Sequence, residues 1–228
     1  MLCLTFTFPR DFRRAAFHAA LLPKWWRRVW CVESAHADAA RAAAPAGTKI
    51  LVRDFPRGGT LRSDAALLGM RDVYLELAER PECDLLVKLD SDTAIFRPDA
   101  WTAPFYSADA DFTYIRRHHA ESRLLANGCC YAVSRRALRR LKNFSIETDA
   151  PAAFEGHEDY VFSAFWTARR DNRDLTLCQI DKRKIWWSAR RYDGADCFAA
   201  HCGYVSEDED FALCAARRNA ELRSVYET

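Results

Sequence analysis

The run Leu85-Leu86-Val87-Lys88-Leu89 restricts the fold of this chain more than any other segment. Four large aliphatics with one charge among them make a strand buried on both faces, and it stops on Asp90-Ser91-Asp92-Thr93. What precedes it alternates. Leu2, Leu4, Phe6 and Phe8 recur at period two, a first strand that Pro9 stops. Asp11 is placed to cap a helix carrying Phe12, Ala16, Ala19 and Leu22 on one side. Val29–Val32 and Lys49–Val52 read as strands, and Ala35–Ala46 between them as a short helix ended by Pro45 and Gly47. Behind Gly58-Gly59, the spacing of Leu67, Met70, Tyr74 and Leu77 predicts a helix, with Pro81 just past its end. Strand and helix in alternation predict an α/β fold, with a mostly parallel sheet flanked by helices. Ligands in such sheets bind beyond the carboxyl ends of the strands, so the loop after Leu89 is where chemistry is expected.

The second half is less regular. Phe112–Ile115 and Cys129–Val133 read as strands, Ser134 as the cap of a short helix with Leu138 and Leu141, and Leu175–Ile180 as a further strand. Residues from about 157 to 169 repeat at helical spacing, and Ser206–Asp210 is expected to be a solvated loop. A length of 228 residues suits one domain, and 50% hydrophobic residues exclude a disordered chain. A net charge of +2 speaks against a nucleic-acid partner. No apolar run is long enough to span a membrane. The N-terminus lacks a basic segment before its apolar stretch, so it is expected to be a strand rather than a signal peptide, and the protein cytoplasmic. Nine cysteines without a CxxC pair are expected to be reduced, mostly buried thiols.

Asp90 and Asp92 are two carboxylates one residue apart at the end of an apolar strand. Unpaired, they repel each other and lose hydration. A hard divalent cation, Mn²⁺ or Mg²⁺, relieves both and keeps positions open for phosphate oxygens. The alternative is a polar strand end that simply meets water. Lys88 also needs a partner inside so apolar a strand, either Asp90 or a phosphate. His118-His119 has no accompanying ligand spacing and is expected to lie in a loop. Cys197, His201 and Cys202 hint at zinc, but no fourth ligand is evident.

The segment Leu85–Thr93 resembles the DxD segment of GT-A glycosyltransferases. Asn127-Gly128-Cys129-Cys130-Tyr131-Ala132-Val133-Ser134-Arg135-Arg136-Ala137-Leu138 is similar to the glycine-containing strand and following helix of the fringe and β-1,3-galactosyltransferase branch. Gly156-His157-Glu158-Asp159-Tyr160-Val161 resembles that branch's E-D-V segment, and His201 stands where many GT-A enzymes carry a metal-binding histidine. The resemblance implies a single GT-A domain with a Rossmann-like, mixed, mostly parallel sheet. Residues 1–100 would bind the nucleotide-sugar, and 101–228 the acceptor.

It also implies roles. Asp92 would bind the metal directly, Asp90 the metal or the ribose, and His201 would complete the ligands. Asp159 would be the general base of an inverting transfer from a nucleotide-diphosphate sugar, UDP-linked, with Glu158 competing for that role. Thr7, Phe8, Arg10, Glu33, Arg62, Lys88, Asn127 and Gly128 are the further candidates for donor contacts. Cys129 and Cys130 depart from the two or three glycines usual in that strand and are expected to narrow the acceptor pocket or to change the backbone path.

Rival functions are a haloacid-dehalogenase-type phosphohydrolase with Asp90 as nucleophile, and a non-catalytic carbohydrate-binding protein. The acceptor itself, whether glycan, lipid-linked or protein, is not indicated. Trp25-Trp26 and Trp186-Trp187 lie beside basic residues, which suits core packing, a sugar-stacking wall or a peripheral contact with anionic membrane lipid. Arg135, Arg136, Arg139 and Arg140 are expected to form a solvated helix side.

Overall fold

A computed structural model describes residues 1–55, 63–117, 125–150, 158–181, 184–186, 198–203 and 206–226, with side chains left out at 116, 117, 125–127, 186 and 217–226. The elements run β1 (Leu2–Phe6), α1 (Phe12–Leu21), β2 (Arg27–Val32), α2 (Ala37–Ala43), β3 (Lys49–Val52), α3 (Asp64–Ala78), β4 (Leu85–Asp90), β5 (Thr93–Ile95) and α4 (Asp99–Ala108). They continue β6 (Phe112–Arg117), β7 (Leu125–Ser134), α5 (Arg135–Arg140), α6 (Ile146–Asp149), α7 (Glu158–Ala168), β8 (Leu177–Ile180), β9 (Ile185–Trp186), β10 (Ala199–His201) and α8 (Glu207–Tyr226).

Seven strands form the central sheet in the order β3-β2-β1-β4-β7-β6-β8. Neighbours are parallel except around β7, which runs against both β4 and β6. A small second sheet, β5-β10-β9, lies beyond the end of β4. The sheet is therefore mixed and mostly parallel, as the alternation predicts.

The side-chain alternation of β4 explains its central place. Leu85, Val87 and Leu89 enter an apolar cluster with Trp26 and Trp101, while Leu86 enters the cluster built on Tyr74, Phe112 and Trp166. Burying these four aliphatics contributes roughly 2 kcal/mol each, which fixes the strand end that carries Asp90. Helix α3 starts where Ser63 accepts from the Ala66 N–H (3.1 Å) and buries Leu67, Met70, Tyr74 and Leu77. Ser134 caps α5 in the same way, through the Ala137 N–H. Asp11 does not cap α1 through its side chain, which lies instead beside Arg10 Nε at 3.5 Å.

Several expectations are corrected. Ser206–Asp210 is no solvated loop. Ser206 and Glu209 bond to each other's side chain and backbone N–H, a capping box that opens α8, and Asp210 is fully buried. Its acidic first turn suits the positive end of the helix dipole. The arginine-rich side of α5 is not simply solvated. Arg136, Arg139 and Arg140 pair with Asp111, Glu79 and Asp174, and Arg135 donates to the carbonyls of Arg80, Pro81 and Cys83. Trp26 is in the core, whereas Trp25 is exposed. Among the described residues no cysteine is in a disulfide, and all but Cys178 are buried. Among the described residues no helix is long and apolar enough to cross a membrane.

Candidate active site

The carboxyl ends of β3, β2, β1 and β4 lie on one edge of the sheet, and Asp90 is in register with Phe6 of β1. Opposite them the small sheet folds back. His201 pairs with Thr93, and the Cys202 N–H donates to the Asp92 carbonyl at 2.7 Å. This antiparallel pairing is what brings a residue from the end of the chain beside Asp90 and Asp92. Each of Asp90, Asp92 and His201 offers one ligand atom, and these atoms lie within 4.8 Å of one another. His201 Nε2 is 3.8 Å from Asp92 Oδ1. Asp92 Oδ1 is itself buried with no hydrogen-bond partner. A buried carboxylate oxygen without a donor costs about 1–3 kcal/mol. Two carboxylates and an imidazole converging on such an oxygen suit a divalent cation.

Behind this edge sits Lys88, 3% exposed at its side chain. Its ammonium donates to Asp90 Oδ1 (2.5 Å) and to the Gly128 carbonyl, and Glu158 Oε1 lies 3.0 Å away as an ion pair without hydrogen-bond alignment. Burial lowers its proton affinity, but Asp90 and Glu158 outweigh that and hold its pKa well above the usual lysine value. The Tyr131 ring lies beneath the ammonium, 5.6 Å from its centroid, and the Tyr131 and Tyr74 hydroxyls are 2.6 Å apart. Glu158 and Asp159, in the first turn of α7, are both buried.

Two glycines make room for these groups. A Cβ on Gly128 would come 2.7 Å from Asp159 Oδ2, so the carboxylate can seat only against bare backbone. Cys129 and Cys130 next to it are buried. Their side chains join the apolar cluster around Trp101. Gly203 was not singled out in the sequence, although it follows His201 closely. A Cβ there would collide with Asp92 Oδ2 and stand 2.7 Å from His201 Cε1, while the Gly203 N–H donates to His201 Nδ1 at 3.2 Å. Gly203→Ala is therefore expected to push Asp92 and His201 apart and to weaken Mn²⁺ binding by about 10–100-fold, the range found when groups that orient a metal ligand are disturbed. Titration calorimetry with Mn²⁺ alone measures this.

The other candidates divide. Thr7 follows β1 and is buried, its Oγ1 without a hydrogen-bond partner, on the same sheet edge as Asp90. Phe8 and Glu33 precede the short 3₁₀ turns after β1 and β2. Arg10 is 78% exposed and pairs with Asp11. Asn127 lies in β7, and its side chain is outside the described residues, as are Arg62, His118, His119, Trp187 and Cys197.

No protein-family model and no curated protein matches this chain. Solved structures do. The galactosyltransferase LgtC in complex with donor and acceptor sugar analogs aligns over 95% of this chain and 96% of its own at 10% identity, with a TM-score of 0.56. A glycosyltransferase involved in glycosylation of the major capsid of PBCV-1 aligns over 94% and 98% at 14% identity, TM-score 0.55. Mouse xyloside xylosyltransferase 1 aligns over 89% and 97% at 11% identity, TM-score 0.54. At such identities the common ground is architecture: the chain has the fold of the GT-A glycosyltransferases, in one domain, and these structures do not confirm the likeness to the fringe branch.

Proposed function

We propose that this protein transfers a glycosyl group from a nucleotide-diphosphate sugar, UDP-linked, to an acceptor hydroxyl, with Mn²⁺ or Mg²⁺ as cofactor. The observation that carries this is the convergence of Asp90, Asp92 and His201 on the ligand edge of a GT-A sheet, with Asp92 Oδ1 buried and unpartnered. Asp92, Asp90 and His201 would hold the cation, which supplies positive charge to the pyrophosphate as it leaves. His201 can ligate through Nε2 as its Nδ1–H tautomer or directly through Nδ1, and either mode replaces the Gly203 N–H bond. Lys88 holds Asp90 in position from below. Glu158 is committed to Lys88, so the acceptor-side role falls to Asp159 beside Gly128.

The protein is to be incubated with a panel of nucleotide-sugars, with and without Mn²⁺. Metal-dependent release of UDP is expected. Phosphate release from an aryl phosphate without UDP, or sugar binding without turnover, would overturn the proposal in favour of a hydrolase or a lectin-like module. Asp159→Asn is expected to keep UDP and Mn²⁺ affinity and to lose about 100-fold or more in turnover, the usual weight of a positioned acid or base. The anomeric configuration of the product then defines its task. Inversion fits a base that deprotonates the acceptor, and retention a carboxylate that steadies positive charge on the departing sugar.

A further inference from the structure

We infer that His18, Cys202, Asp210 and Cys214 form a second metal centre, a buried zinc site separate from the Asp90–Asp92–His201 cluster. The four come from the middle of α1, the residue after β10 and two successive turns of α8, where Asp210 and Cys214 share a face at i, i+4. All four are almost fully buried, at 0–1% exposure. One donor atom from each lies within 4.8 Å of the others. The donor set is two sulfurs, an imidazole nitrogen and a carboxylate oxygen, which suits tetrahedral Zn²⁺.

The distances fit. Zinc bonds of about 2.0–2.3 Å set tetrahedral edges of roughly 3.3–3.8 Å. Cys214 Sγ stands 3.5 Å from Asp210 Oδ1, and His18 Nε2 stands 2.9 Å from the same oxygen, an edge that needs to open by a few tenths of an ångström.

The surroundings point the same way. His18 Nδ1 lies 3.0 Å from the Ser91 carbonyl, which can only accept, so this nitrogen carries a proton and leaves Nε2, 2.9 Å from Asp210 Oδ1, as the nitrogen that would ligate a cation once its own proton is displaced. That is how a metal-bound histidine is normally anchored. Asp210 Oδ2 faces Arg14 Nε at 3.1 Å, leaving Oδ1 for the centre. Two thiolates and one carboxylate against Zn²⁺ and Arg14 give a neutral buried group, whereas the same residues without a cation must carry thiol protons or a buried imidazolium.

The placement gives the site a task. His18 grips the carbonyl between Asp90 and Asp92, and the Cys202 N–H grips that of Asp92. Zinc would thus fasten α8 to α1, 192 residues apart in sequence at His18 and Asp210, and steady the loop that carries the first site.

The test is metal analysis of the full chain, purified without chelator and then dialysed against EDTA. About one tightly held zinc per chain is expected. Asp92→Ala should retain it, and Cys214→Ser should lose it. Cobalt reconstitution of the wild-type chain should give thiolate-to-cobalt charge transfer and tetrahedral d–d bands. If Cys214→Ser fails to fold, the wild-type stoichiometry and cobalt spectrum still decide. Wild-type protein free of zinc after purification and blind to added Zn²⁺ or Co²⁺ would overturn the inference. So would a metal that departs with Asp92→Ala.

Discussion

Asp92→Ala is expected to abolish metal-dependent UDP binding and to lower turnover by about a thousandfold or more. A bound cation supplies several kcal/mol of charge stabilisation to a leaving phosphate, and each 1.36 kcal/mol is a factor of ten in rate. Asp92 is the carboxylate with most to lose. Its Oδ1 is buried and unpartnered, while Asp90 is shared with Lys88. The same orphaned oxygen predicts the opposite effect on stability. Removing an unsatisfied buried acceptor should leave the melting temperature unchanged or raise it, since its desolvation cost of about 1–3 kcal/mol disappears. Loss of turnover together with an undiminished melting transition would separate a ligand from a structural residue. Wild-type turnover in Asp92→Ala, measured as UDP release with Mn²⁺ present, would remove the metal role from the whole cluster.

The local rules made half of this site visible in advance. The strand–helix alternation located β1–β4, and an apolar run that ends on two carboxylates has few other uses than to present them. Ser134 and the first turn of α7 follow from capping and helical period alone. Lys88 was bound to have a partner, because a charge amid Leu86, Val87 and Leu89 cannot remain unpaired.

What stayed hidden depends on contacts far apart in the chain. Nothing near His201 says that β10 pairs with β5, yet that pairing sets it against Asp92. Gly203 looks like any loop glycine until a Cβ is built on it. Cys202 suggested zinc only with its neighbours in sequence, whereas the residues around it come from α1 and α8. Ser206-Glu207-Asp208-Glu209 has the S-x-x-E spacing of a capping box, a signal that its run of charge conceals.

Lys88→Met is expected to be the most destabilising single change near the site, by about 3 kcal/mol, because it strands the buried Glu158 carboxylate rather than because it deletes a favourable bond. The ammonium is nearly sealed from water and serves Asp90, Glu158 and the Gly128 carbonyl together. Glu158 is 6% exposed, so water cannot replace the lost ammonium there. For a chain of this length that cost corresponds to a fall in melting temperature of roughly 10 °C. The pH dependence is a separate check. Because the folded pKa lies above the unfolded one, the ion's contribution is complete at every pH below the ordinary lysine value and fades only as alkaline pH passes through the raised value. The deficit of Lys88→Met relative to wild type should therefore be flat from mildly acidic to mildly alkaline pH. The double variant Lys88→Met, Glu158→Gln removes the stranded charge and should recover more than half of the lost stability, without restoring turnover, since Asp90 is no longer held. If Lys88→Met melted with wild type, the ammonium would have to be in contact with water in solution, and neither Asp90 nor Gly128 could depend on it for position.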